Sequence, residues 1–299
     1  MEIKYRITEQ GAVIEKCLGT EERVKIPETV EGCPVHALDA YAFSEARAGA
    51  SGIGGERLHE ISLPGSLKKI GNYAFYGCRN LEKMTLCHTI EDIGGGAFTG
   101  CYRLRELDIS MQNGVGYCFK EIIGELRREL RVTLRFEGGK QARLLFPEYY
   151  EEAVENTPAR ILETHFHGSG YPYRQCFQGG VFQFQEYDGL FFEAAAWEGE
   201  DFCIELSLSR LEYPWKLSED AKGIYMAWLM EHRMSAANWC IEFERDEDLE
   251  FMSTFTEWSG GELLELIQKA NQRGRTGIQS FLMDYKFRNR KQKQETFEL

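Results

Sequence analysis

Apolar and polar positions repeat with a fixed period in the first part of the chain. Residues 70–81 read IGNYAFYGCRNL and residues 93–104 read IGGGAFTGCYRL, so the second segment repeats the first at a constant offset. At the same offset, Leu130 aligns with Leu107. Units repeating at this interval cannot bury their apolar side alone, so the pattern predicts a solenoid of stacked coils.

Each repeat contains a short segment with the alternation of a β-strand. Met84 and Leu86 stand two residues apart and therefore point to one side, whereas Lys83 and Thr85 point to the other. Each coil is thus expected to add one strand to a parallel sheet, about 4.8 Å from the strand before it.

The repeat also places aromatic and thiol side chains at equivalent positions. Phe98 follows Phe75, and Cys101 follows Cys78, by the same offset. We expect the two phenylalanines to stack as a ladder inside the coil. The two cysteines are expected to lie beside that ladder as small core hydrophobes.

A glycine-rich stretch, AGASGIGGE at residues 48–56, interrupts the repeat. The Ala-Phe pair at 42–43 recurs at 74–75, whereas the constant offset would place it at 65–66, so nine positions are inserted. A dinucleotide-binding loop needs a strand before it and a long helix after it, and Pro64 would end such a helix early. We therefore expect a flexible bulge on the loop side of the coil.

Three segments carry a resemblance to a known family. They are IPETVEG at 26–32, LPGSLKKIGNYAFYGCRNL at 63–81 and TIEDIGGGAFTGCYRL at 89–104. Residues 1–110 resemble the BspA-like leucine-rich repeat family, which is common in bacteria. The resemblance implies a curved right-handed solenoid used for protein or surface recognition, with no catalytic residues to carry over.

The repeat pattern fades after Val132. RVTLRF at 131–136 and ARLLF at 142–146 predict two strands around a Gly-Gly turn, which would close the edge of the sheet. FKEIIGELRREL at 119–130 predicts a helix before them.

Beyond Pro147 the pattern predicts helices of roughly a dozen residues that end at glycine or proline. The last two form a helix pair at 261–286, in which Leu263, Leu264, Ile267 and Ala270 are expected to share one face. This pair weakly resembles the helix pairs of ankyrin-type repeats.

The predicted fold is an α/β solenoid followed by a helical domain. Residues 1–146 form a leucine-rich repeat right-handed coil with a short parallel sheet and a closing hairpin. Residues 147–299 form a mainly α-helical domain, similar to an alpha-solenoid.

A histidine pair is the main candidate for metal chemistry. His165 and His167 would point to one side of an extended segment, and Cys176 lies close in sequence, but a fourth zinc ligand is missing. A structured loop with hydrogen-bonded histidines is the alternative, and we expect no metal or other cofactor.

Cys87 and His88 are adjacent, so in a strand they would face opposite sides and form no thiolate–imidazole pair.

Charge and composition narrow the classes of partner. The chain has 299 residues and a formal net charge of −13, which disfavours nucleic acid and anionic membrane surfaces. The N-terminal residues show no secretory signal pattern, and no apolar run reaches the roughly 18 residues of a membrane helix. The nine cysteines show no CxxC spacing, and most of them are expected to be reduced and buried. These features favour a cytoplasmic location, and the basic run at 286–294 is expected to be a frayed tail.

The preferred hypothesis is a non-catalytic scaffold for protein–protein interaction, with no enzymatic activity. Solenoids present long surfaces whose outward strand residues carry no packing role. The candidate contact residues are Lys83, Thr85, Glu106 and Asp108. One alternative is a bacterial surface adhesin of the BspA-like type, and a third is a metal-dependent enzyme built on the histidine pair.

Overall fold

The computed structural model describes residues 1–44, 52–111, 117–156 and 161–297. Contacts within the chain define two compact units, Met1–Glu198 and Gly199–Leu299. The division follows Glu198, whereas the predicted domain boundary follows residue 146.

One six-stranded sheet carries the repeats, and we call it the repeat sheet. In spatial order its strands are β3 (Arg23–Lys25), β6 (Glu60–Ser62), β8 (Lys83–Cys87), β10 (Glu106–Ser110), β11 (Leu130–Arg135) and β12 (Gln141–Phe146). The first five strands are parallel, and the last returns antiparallel. The solenoid and the closing hairpin are therefore confirmed.

The pairing register agrees with the predicted period in the central coils only. Met84 pairs with Leu107, as the offset requires. Leu107 then pairs with Val132, so the prediction that Leu130 aligns with it is wrong by two positions. The inward positions remain apolar because a shift of two keeps each side chain on the same face.

A second sheet lies elsewhere in the first unit. Its path runs through β1 (Glu2–Thr8), β2 (Gly11–Leu18), β5 (Cys33–Leu38), β7 (Lys69–Ile70) and β9 (Asp92–Ile93), and β4 (Thr29–Val30) pairs with β5. The first two strands form an antiparallel hairpin, and the path from β2 to β9 is parallel.

The predicted aromatic ladder is present and has a third member. The rings of Phe43 and Phe75 stack at 5.3 Å between centroids, and those of Phe75 and Phe98 at 5.7 Å. Cys78 Sγ donates a hydrogen bond to the Phe43 carbonyl, and Cys101 Sγ donates to the Phe75 carbonyl. Burial raises the pKa of the Cys101 thiol, which keeps it in the protonated form that donates.

The described end of the glycine-rich insertion packs into the core. Ile53 has no exposed surface, and its amide donates to the Cys17 carbonyl. A Cβ at Gly54 would lie 2.2 Å from the Phe43 carbonyl oxygen, so only glycine fits there. The expectation of a flexible bulge is therefore wrong for residues 52–56, because an apolar side chain anchors them; residues 48–51 lie outside the described part.

Two exposed tyrosines stack along one turn of the coils. Tyr41 and Tyr73 have φ values of 60° and 55°, in the left-handed region, and their rings stack at 5.2 Å. Gly96 takes the next position with φ of 67°. The Tyr73 ring lies over Gly96, where a side chain would end the stack.

Gly96→Ala is expected to destabilise the first unit by about 1–2 kcal/mol, because a Cβ there would strain the left-handed backbone. That Cβ would also lie 2.5 Å from Cε1 of Tyr73. Gly95→Ala is the matched control, since nothing lies within 4 Å of its added Cβ. Urea unfolding followed by circular dichroism checks both variants, and equal midpoints would contradict the packing described.

Strands continue beyond Pro147, which corrects the expectation of helices from that point. β13 (Tyr150–Asn156) pairs with β14 (Ile161–His167), and β15 (Phe177–Gln178) pairs with β16 (Val181–Phe182). Aromatic contacts favour the strand form: Phe166 stacks on Tyr171 at 3.7 Å and lies near Tyr149.

Short helices complete the first unit. They are α1 (Tyr117–Glu125), α2 (Gly170–Arg174), α3 (Phe184–Gly189) and α4 (Phe191–Trp197). Tyr187 on α3 reaches back to β12, where its hydroxyl donates to the Leu145 carbonyl at 2.6 Å and accepts from the Leu145 amide at 2.8 Å.

Arg174 is buried where α1, the hairpin and α2 meet, with 2% of its surface exposed. Its guanidinium donates to five backbone carbonyls, those of Ile123, Leu126, Arg128, Pro147 and Gly170. Burial lowers its pKa to about 10, which leaves the side chain charged at neutral pH.

The second unit is helical, as predicted. Its helices are α5 (Glu200–Glu212), α6 (Glu219–Glu231), α7 (Arg233–Glu242), α8 (Asp246–Met252), α9 (Gly260–Gln272) and α10 (Thr276–Phe297). The backbone stays helical through the basic run at 286–294, which corrects the expectation of a frayed tail.

The buried face of α9 differs from the predicted one. Leu263, Leu266 and Ala270 are buried, whereas Leu264 is 49% exposed. The three buried residues are spaced by three and four positions, as the helical period requires for one face. Leu264 lies outside that face. Ser259 and Glu262 form a capping box that fixes where α9 begins.

Candidate interaction surface

The outward face of the repeat sheet carries a row of charges of alternating sign. The register aligns Arg23 with Glu60, Glu60 with Lys83, Lys83 with Glu106 and Glu106 with Arg131. We call these five residues the charge ladder. Their neighbours in sequence face inward and are buried, namely Val24, Ile61, Met84, Leu107 and Val132.

Adjacent members of the charge ladder form exposed ion pairs. Lys83 Nζ lies 3.4 Å from Glu106 Oε2, with 44% and 54% of the side chains exposed. Arg23 Nε lies 3.4 Å from Glu60 Oε1. Exposed pairs of this kind contribute about 0–1 kcal/mol each, so their role in folding is small.

A second outward row contains smaller polar groups. Ser62, Thr85, Asp108 and Thr133 align across four strands. Arg135 holds Asp108 through Nε at 2.8 Å and Nη2 at 2.7 Å, and the Asp108 side chain is 16% exposed. Asp108 is therefore already engaged within the chain.

The structure brings the four predicted contact residues together on one face. Lys83 pairs with Glu106, and Thr85 stands beside Asp108 in the register. Sequence reasoning missed Arg131 and Arg135, because the constant offset placed Glu129 beside Glu106. The apolar alternation of β11 could not have found them, because Leu130, Val132 and Leu134 are all apolar and fit the core in either register.

The predicted histidine pair, His165 and His167, lies on β14. His167 Nε2 lies 3.0 Å from Glu152 Oε2, and His165 Nε2 lies 3.5 Å from Glu163 Oε2. Cys176 is buried, and burial raises its pKa to about 12. In the described ranges, no group of three or more His, Cys, Asp or Glu side chains is placed to hold a metal ion.

Cys87 and His88 are in contact, which corrects the expectation that they face opposite sides. Cys87 Sγ lies 3.3 Å from His88 Nδ1, and the same nitrogen lies 3.2 Å from the Ser110 carbonyl oxygen. β8 ends at Cys87, so His88 belongs to the following turn and is free of strand alternation.

Glu125 closes the last coil beside a cavity of about 510 Å³. In the preceding coil the Phe75 amide donates to the Ala97 carbonyl, whereas the Phe98 amide donates to Glu125 Oε2 at 3.3 Å. Burial raises the Glu125 pKa. The carboxylate thus replaces the carbonyl of a further coil, which is a structural role.

Among the described helices, none combines the length and the apolar character that crossing a membrane requires.

Part of the chain is similar to a known protein family. A search of curated proteins finds no match. A crystal structure of a leucine-rich repeat protein from T. pallidum is similar, with 19% sequence identity, 38% of this chain and 73% of that chain covered, and a TM-score of 0.25. The family model described as a BspA type leucine rich repeat region (6 copies) matches residues 54–124. Residues 54–124 of this chain are therefore a BspA-type leucine-rich repeat region.

Proposed function

We propose that this chain is a non-catalytic scaffold whose repeat sheet binds a protein partner through the charge ladder. The observation that supports this proposal is the outward face of the repeat sheet. Its five charges alternate in sign, and their buried apolar neighbours in sequence hold the strands in register. This face uses its apolar side chains for the core and presents its charged ones to solvent.

The charges favour a protein partner over other macromolecules. A surface of alternating sign offers no continuous basic stripe for a phosphate backbone or an anionic lipid layer. The formal net charge of −13 opposes both kinds of partner. Alternating charges on a partner would instead determine its register on the sheet.

We also propose that binding takes place in the cytoplasm, and that the BspA-type repeats act there as an interaction module. Fractionation of the native cells tests this location: recovery only at the cell surface would replace the proposal with adhesion.

The K83E/E106K double variant is expected to lose a partner that wild-type protein captures from native cytosol. Reversal puts like charges opposite each other across the interface, which costs several kcal/mol. Quantitative mass spectrometry of the captured proteins measures the loss.

K69E/D92K is the matched control, because Lys69 and Asp92 form an exposed pair on adjacent strands of the other sheet. Equal capture by wild-type and K83E/E106K protein would reject the face proposed.

A further inference from the structure

The order of charges in the ladder has a symmetry property of its own. Sign changes at every strand from Arg23 to Arg131, and strands in a sheet are about 4.8 Å apart. Consider a second copy laid face to face on the first, with its strand order reversed. If the second copy is also displaced by an odd number of strands, then wherever two ladder charges face each other they are opposite in sign.

We propose that two copies of this chain associate through the charge ladder, about a two-fold axis that runs parallel to the strands between β8 and β10. This inference rests on the proposed function and names the partner as a second copy. An interface with two-fold symmetry uses the same patch on both subunits, so self-complementarity is what it requires.

The two-fold operation brings opposite charges together along the ladder. Lys83 of one copy faces Glu106 of the other, and Glu60 faces Arg131, and symmetry makes each pair occur twice. In the second row, the Thr85 hydroxyl faces the Asp108 carboxylate and can donate to it. An axis passing along one strand would instead oppose like charges throughout: along β8, for example, Lys83 would face Lys83 of the other copy and Glu60 would face Glu106.

The number of strands that face a strand of the other copy favours this axis over one placed between β6 and β8. An axis between β8 and β10 sets all six strands of the repeat sheet against six. An axis between β6 and β8 also matches opposite charges, but it leaves β11 and β12 without a facing strand. At the outer strands the chosen axis opposes Arg23 to Leu145, which is buried, and Lys25 to Arg143, a like-charged pair that weakens association.

Existing ion pairs do not oppose association strongly. The Lys83–Glu106 pair is about half exposed and contributes little within one chain. Arg131 already contacts Glu129 at 3.1 Å and would gain a second carboxylate. Excluding water from the face strengthens each attraction, because the effective dielectric constant falls, but it also removes hydration from the charges, so the net gain is small.

The size of the face predicts weak, reversible association. Six strands of about five residues span about 24 Å by about 17 Å, or about 400 Å² on each copy. The two copies together would bury about 800 Å², which lies below the standard range for stable interfaces. The dimer should therefore form at high protein concentration and dissociate with salt.

Sedimentation equilibrium at about 100 µM protein and low salt tests the proposal, since small polar interfaces are weak. Wild-type protein is expected to dimerise, and K83E and E106K are each expected to associate about 100-fold more weakly. An equimolar mixture of the two variants should recover dimers, because the substituted side chain of each variant then faces an opposite charge on the other chain. K69E and D92K, the controls on the other sheet, should associate like wild type.

The outcomes separate this inference from the proposed function. K83E/E106K should still self-associate, because both members of each facing pair have exchanged sign, but it should lose any different protein partner. A monomeric wild type, or a mixture that stays monomeric, overturns the dimer. The proposed function then stands if capture of another protein depends on Lys83 and Glu106. Circular dichroism melts verify that each variant is folded.

Discussion

Replacing Arg174 by methionine is expected to lower the free energy of unfolding of the first unit by about 3–5 kcal/mol. Methionine approximates the length of the side chain but donates no hydrogen bonds. Five carbonyls, four of them in buried hydrogen bonds, would lose this donor, and two of them lie at the end of α1. Urea unfolding followed by circular dichroism, with the transition of the second unit as an internal reference, measures the change.

Two further variants separate the hydrogen bonds from the charge. Arg174→Lys keeps the charge but cannot reach five acceptors, so most of the loss should persist. Arg103→Met removes an exposed arginine of the same unit, 61% exposed and 3.9 Å from Glu82, and should change stability by less than about 0.5 kcal/mol. Similar losses for Arg174→Met and Arg103→Met would contradict the role assigned to the buried guanidinium.

Phe75→Ala is expected to cost about 3–5 kcal/mol, because it removes the middle ring of the aromatic ladder and leaves a cavity. Phe75 has no exposed surface, and its ring stacks with Phe43 on one side and Phe98 on the other. Hydrogen exchange should increase in the coils on both sides of the lost ring, since each repeat depends on its neighbours.

A double-mutant cycle tests whether the ladder acts as a unit. Phe75→Ala and Phe98→Ala should be non-additive, because the two rings are in contact. Phe75→Ala and Leu263→Ala should be additive, since they belong to different units. Tyr102→Ala, at an aromatic ring that is 64% exposed, is the control and should have little effect. Additivity of the two ladder variants would contradict the stacking.

The sequence predicts the central coils well because three independent signals share one period there. The alternation at Met84 and Leu86, the Ala-Phe pairs and the cysteines all recur at the same offset between the two central repeats. Each signal corresponds to a different part of the coil, so their agreement fixes both the fold and the outward position of Lys83. The candidate face follows from that register.

Prediction fails where one of these signals is lost. β11 pairs with β10 two positions later than the constant offset predicts. Only the outward residue shows this shift, because Glu106 pairs with Arg131 and not with Glu129. Residues 150–156 and 161–167 form strands that are favoured by aromatic contacts with residues outside the hairpin, such as Tyr171, and a local periodicity cannot show such contacts. The alternation along the full charge ladder is likewise invisible in sequence, because Arg23 and its partner Glu60 stand on opposite sides of the insertion.

The hydroxyl of Tyr187 occupies backbone groups at β12, the edge strand of the repeat sheet. A terminal strand normally offers unpaired amides and carbonyls on which another polypeptide can extend the sheet, and this is a common route to aggregation. Here one phenol occupies both the amide and the carbonyl of Leu145. Strand addition along β12 would have to displace the Tyr187 hydroxyl from Leu145, so this edge resists the pairing through which copies of the chain could polymerise.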